Sequence, residues 1–83
     1  MKFIKAIENI EELLVRRRWI LEQLRFFEKK YNMSTKEFAD AWKKGLLPEP
    51  DDPDMHGDFM VWEGLYDEQI KIEEELRCLI KEQ

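Results

Sequence analysis

At 83 residues the chain is limited to one domain, which on folding buries only about 60–65% of the surface its unfolded form exposes, so support from a partner or a second copy is expected. Charged residues make up 40% of the sequence and hydrophobic residues 43%, with only three glycines and three prolines, a composition of helices that is poor in strand signals. The net charge of −5 is unevenly divided: residues 1–33 hold eight Lys/Arg against five Glu (+3) and residues 34–83 six against fourteen acids (−8), a balance that disfavours general nucleic-acid affinity and favours a basic partner protein.

From Phe3 to Tyr31 the residues Phe3, Ile7, Ile10, Leu14, Leu21, Leu24 and Tyr31 follow a three-four spacing, with Ile4, Leu13, Ile20 and Phe27 widening the stripe. No Gly or Pro intervenes, so the pattern predicts one long amphipathic helix reaching roughly 43 Å, longer than a domain of this size is wide. The seam is interrupted at Arg17 and Glu28, which points to a helical bundle rather than an unbroken two-stranded coiled coil. Within it, Arg16, Arg17 and Arg18 form a basic run. Glu12 precedes Arg16 by four residues and Glu22 follows Arg18 by four, so a solvated, self-paired face is expected, with a phosphate-binding patch as the alternative.

A marked corner follows. Asn32 tolerates the left-handed conformation that closes a helix, Ser34 with Glu37 three residues later is a capping box, and Gly45 is the matching stop. The short helix between them would turn Phe38, Ala41 and Trp42 inward and Lys36, Glu37, Asp40, Lys43 and Lys44 outward. A long helix, a tight turn and a short helix also describe a DNA-reading helix-turn-helix. The second helix, however, is partly acidic and lacks Arg, Gln or Asn for bidentate base contacts, so an αα-hairpin corner is favoured.

Leu46 to Gly57, with Pro48, Pro50, Pro53 and several aspartates, predicts an extended acidic connector. Asp52, Asp54, His56, Gly57, Asp58 and Glu63 also match positions one, three, five, six, seven and twelve of a calcium loop, although His56 and Pro53 are wrong for it. Metal binding is therefore only a weak alternative, and no cofactor is expected.

The last helix is expected to begin near Asp58. It carries Trp62, Leu65, Ile72, Leu76 and Leu79 on a three-four seam flanked by Phe59, Tyr66, Ile70 and Ile80, with an acidic outer face from Glu63, Asp67, Glu68, Glu73, Glu74 and Glu75. Gly64 within it suggests close approach by another helix, and Cys78 beside the seam reads as a small buried residue.

One His, one Cys and dispersed glycines give no nucleophile–base pair and no phosphate loop, so no enzyme site is expected. With no secretory signal and no apolar run near 20 residues, a cytoplasmic location is expected. Abundant Lys, Arg and Glu with few Asn and Gln fit a heat-adapted (thermophile) source.

The stretch from Phe27 to Phe38, then Trp42, Gly45, the acidic linker and Asp58 to Tyr66, resembles the small antitoxin-like proteins of prokaryotic and archaeal toxin–antitoxin pairs, TumA type. The resemblance covers about half of the chain. It implies a cytoplasmic protein that neutralises a cognate toxin, often a basic ribonuclease, and that sometimes represses its own operon. The expectation is thus an all-α chain of long helix, short helix, loop and long helix, the outer two antiparallel, assembling as a homodimer or larger bundle. Its partner-binding candidates are Trp62, Glu63, Leu65, Tyr66, Asp67, Glu68, Glu73 and Glu74. The alternatives are nucleic-acid binding through Arg16, Arg17, Arg18, Lys36, Lys43 and Lys44, and a self-associating module with no other ligand.

Overall fold

A computed structural model describes residues 2–47 and 52–81, with side chains for 9–47 and 52–80. The order is helix α1 (Lys2–Tyr31), helix α2 (Thr35–Lys44) and helix α3 (Pro53–Lys81), with no strand among the described residues. The all-α, long–short–long architecture is as the periodicity predicts. Contacts between Lys30 and Asp58 at one end, and between Arg16 and Glu68 further along, show that α1 and α3 run antiparallel. The result is a rod of 53 × 21 × 18 Å in which ten-residue α2 covers only the corner end.

The three predicted corner signals all fall at helix ends, although the Glu37 carboxylate meets the Ser34 hydroxyl and not its backbone N–H. Asn32 takes a φ of 53° and the Met33 N–H reaches back to the Glu28 carbonyl at 3.2 Å, closing α1. Gly45, at φ 66°, closes α2 in the same way, with the Leu46 N–H on the Ala41 carbonyl at 2.9 Å. At the start of α2 the Ser34 hydroxyl accepts from the Glu37 N–H at 3.1 Å and donates to the Glu37 carboxylate at 3.2 Å. Glu28 supplies a further cap from outside the helix: its carboxylate accepts the Thr35 N–H at 2.8 Å. The charge that interrupts the α1 seam therefore pins α2 to α1.

The core centres on Trp62, which is fully buried. Phe38 stacks on it with ring centroids 4.0 Å apart and planes within 4°, and Phe27 and Tyr31 stack at 5.7 and 5.9 Å. Its indole N–H donates to the buried Thr35 hydroxyl at 3.0 Å, so the ring is satisfied as well as covered. Ile20, Leu24, Leu65, Ile72 and Leu76 extend this core along the α1–α3 interface.

Several details differ from expectation. Helix α3 begins at Pro53 rather than near Asp58, because Asp52 caps it, accepting the Asp54 N–H at 3.0 Å, and a proline in the first turn has no N–H to lose. The connector is correspondingly shorter, and Pro48, Glu49, Pro50 and Asp51 lie outside the described residues. On α1 the buried line runs through Ile20, Leu24 and Phe27, while Leu14 stays 49% exposed. On α2 Ala39 is buried and Trp42 is 37% exposed. Cys78 is exposed, and a Cβ at Gly64 would meet no neighbour within 4 Å, so neither marks close packing. The side chains of Phe3, Ile4 and Ile7 lie outside the described set.

Candidate protein-interaction surface

The two oppositely charged halves of the chain meet along the solvent-exposed edge of the α1–α3 interface. Arg16 grips Glu68 with two donors, Nε at 2.8 Å and Nη2 at 3.2 Å, and Arg17 Nε reaches Glu73 at 3.2 Å. These pairs replace the predicted ones along α1. Because Arg16 and Arg17 reach across to α3, part of the positive charge of the first half is consumed by the acidic second half. The bond to Glu68 raises the Arg16 pKa further and holds it charged.

At the corner, the Asp58 carboxylate accepts from Lys30 at 2.6 Å and from the Tyr31 hydroxyl at 2.5 Å. Lys30 and then Tyr31 hold the Asp58 carboxyl below the usual range. The Tyr31 phenol is pushed up, first by burial and then by Asp58. The sign of the pH effect follows: a carboxyl whose folded pKa is depressed contributes stability that is full above its unfolded value, about 3.9, and is lost as pH falls through the folded value. Asp58→Asn should therefore lower the urea midpoint at neutral pH, and the gap to the parent should close as pH falls below about 4. A gap that is constant with pH would rule out this network.

The eight partner-binding candidates separate into three groups. Trp62 and Leu65 are core residues and present nothing to a partner, a correction that follows from the stacking of Phe38, Phe27 and Tyr31 around the indole. Glu68 and Glu73 are tied to α1 through Arg16 and Arg17. Glu63, Tyr66, Asp67 and Glu74 remain outward or partly outward, with Asp67 loosely paired to Lys71 at 3.6 Å. Sequence reading missed the apolar members of that face. Met60 and Ile70 are 56% and 40% exposed and fall on one spacing with Glu63, Asp67 and Glu74. This three-four-three-four recurrence, offset from the buried seam, is the signal that could have found them.

The basic candidates are divided too. Arg16 and Arg17 are committed to α3, whereas Arg18, Lys36, Lys43 and Lys44 are exposed and form no ion pair among the described residues. The calcium count falls on helix: Asp54, His56, Asp58 and Glu63 ride on α3 and Asp52 caps it. Their side chains fan around an axis instead of converging as loop ligands do. Among the described residues no group of three or more His, Cys, Asp or Glu is arranged to hold a metal ion. No helix there is long and apolar enough to cross a membrane.

No family model, curated protein or solved structure matches the chain.

Proposed function

We propose that the chain is a non-enzymatic binding protein of the antitoxin-like kind, which occupies a basic partner protein with the outer face of α3. The observation that supports this reading is the stripe Met60, Glu63, Asp67, Ile70 and Glu74, on which exposed apolar side chains alternate with carboxylates that α1 does not neutralise. Such a stripe suits a groove that is apolar at its floor and basic at its rim. The charges would steer encounter and reject acidic competitors, while Met60 and Ile70 would supply contact area. A partner that works on nucleic acid with its basic surface would be blocked by the occupation of that surface.

The test is co-purification from the source organism with tagged parent chain and with the double reversal Glu63→Lys, Glu74→Lys. A basic protein retained by the parent, lost with the reversal, and retained when Asp54 alone is reversed is the expected result. Roughly tenfold weaker binding of the recovered partner to the reversed chain is expected at moderate salt. Retention indifferent to the reversal, or recovery of nucleic acid with a steep salt dependence, would overturn the reading in favour of the exposed cations of α1 and α2.

A further inference from the structure

We propose that the outward stripe of α1 formed by Val15, Trp19, Glu22 and Phe26 pairs with the same stripe of a second copy of the chain, antiparallel about a two-fold axis between Ile20 and Leu21. These four residues recur at intervals of four, three and four, so they share one face, and it is turned away from the Ile20–Leu24–Phe27 line that packs on α3. Val15, Trp19 and Phe26 are 71%, 44% and 58% exposed. Together they form one exposed apolar patch on each copy, comparable with the largest patch of a typical monomer, about 300–600 Å², which is often functional.

Each aromatic ring has a cation beside it that is itself paired with α3. The Arg16 guanidinium lies over the Trp19 ring, 4.7 Å from its centroid, and is itself fixed by its two bonds to Glu68. Lys30 stands 5.9 Å from the Phe26 ring and is fixed by Asp58. A helix that secures its exposed rings to the neighbouring helix through cations has reduced the ordering cost of docking before the second copy arrives.

The charges along the stripe identify the occupant. Glu11 and Glu12 lie at its N-terminal end and Lys29 at its C-terminal end, none of them in an ion pair among the described residues. A parallel copy would set like charge on like. The antiparallel two-fold sets Glu12 against Lys29 twice, Val15 against Phe26 twice, and Glu22 against the Trp19 indole of the other copy with Arg18 alongside. Glu22, the one charge within the stripe, thus meets an N–H donor and a cation in the pairing that would otherwise bury it unmatched. A purely basic partner would satisfy the acidic end and be repelled by Arg18 and Lys29. The patch is below the area of a permanent interface, so the dimer should dissociate on dilution. The stripe lies on α1 and the acidic partner face on α3, so self-pairing and partner binding stand or fall separately.

Sedimentation equilibrium of the full chain alone tests this. The parent should show a reversible monomer–dimer equilibrium. Trp19→Ala should weaken it at least about tenfold with helicity by circular dichroism unchanged. Glu12→Lys and Lys29→Glu, each alone, should weaken self-association several-fold, and an equimolar mixture of the two should restore it, because each copy then meets its opposite charge. A parent that stays monomeric into the millimolar range, a Trp19→Ala chain that pairs like the parent, or single charge reversals without effect would overturn the proposal. Loss of the dimer on Ile70→Glu with retention in Trp19→Ala would place the contact on α3 and overturn it as well.

Discussion

Replacing Trp62 with alanine is expected to cost about 3–5 kcal/mol, the usual penalty for removing a large buried aromatic. A chain of this length has a total stability of roughly 4–12 kcal/mol, so the variant should lose at least about a quarter of it and its unfolding midpoint should fall steeply. The reason is that all three helices meet on this ring. Phe38 of α2 and Phe27 and Tyr31 of α1 stack on it, and Thr35 at the start of α2 accepts its N–H. Trp62→Phe separates the two contributions. It keeps an aromatic body but leaves the buried Thr35 hydroxyl without its donor, at a cost of about 1–3 kcal/mol. Thr35→Val should cost a similar amount by stranding the indole N–H, and the double variant should cost less than the two combined. Urea unfolding followed by circular dichroism measures all four. A Trp62→Ala midpoint close to that of the parent would mean that the stack does not organise the three helices.

The central role of Trp62 could not be read from the sequence, whereas the corner that positions it could. Ser34, Glu37, Asn32 and Gly45 act on backbone groups within a few residues of themselves, so their chemistry is local and the chain order is enough to state it. The three tryptophans are alike in composition and each sits on a helix, yet Trp62 is fully buried while Trp19 and Trp42 are 44% and 37% exposed. What separates them is which rings arrive from the other helices, and periodicity along one helix carries no information about that. The charges show the same division. Glu12 and Glu22 are correctly spaced to meet Arg16 and Arg18 on one helix, but Arg16 and Arg17 turn to Glu68 and Glu73, which are distant in sequence and near in space. The start of α3 is also a local signal: Asp52 followed by Pro53 is an N-cap followed by a proline suited to the first helical turn, but Pro48 and Pro50 just before it give the whole segment the composition of a breaker.

The proposed partner surface was half legible for the same reason. Acidic spacing marks an outer face, so Glu63, Asp67 and Glu74 could be assigned to it. The same spacing gave no means of knowing that Glu68 and Glu73 would be drawn to α1, or that Met60 and Ile70 would be left uncovered. Ten-residue α2 protects only the corner end of the long hairpin, so apolar residues further along either helix are buried only where α1 and α3 face each other directly.

That geometry makes Ile20 and Leu14 a sharp pair of substitutions. On sequence spacing Leu14 belongs to the principal seam of α1 and Ile20 to its flank; in the fold Ile20 is fully buried and Leu14 is 49% exposed. Ile20→Ala should therefore cost about 2–5 kcal/mol, since the removed methyl groups leave a void between two long helices that can collapse only in part. Leu14→Ala should cost less than about 1 kcal/mol, because an exposed leucine gains little from its position and alanine is the better helix former. The inversion has a physical origin: the stripe of α1 is wider than one partner helix can cover, so its margins are only partly buried, as at Leu21 and Tyr31, or exposed, as at Leu14. Helix α3 takes the line through Ile20, Leu24 and Phe27, where the aromatic cluster at the corner sets the rotation of α1 about its own axis. Equal losses at the two positions would mean that α1 is rotated toward the Leu14 line and that this line is covered as well. Chemical unfolding of both variants, each repeated at two protein concentrations so that any contribution from self-association is seen, decides between these arrangements.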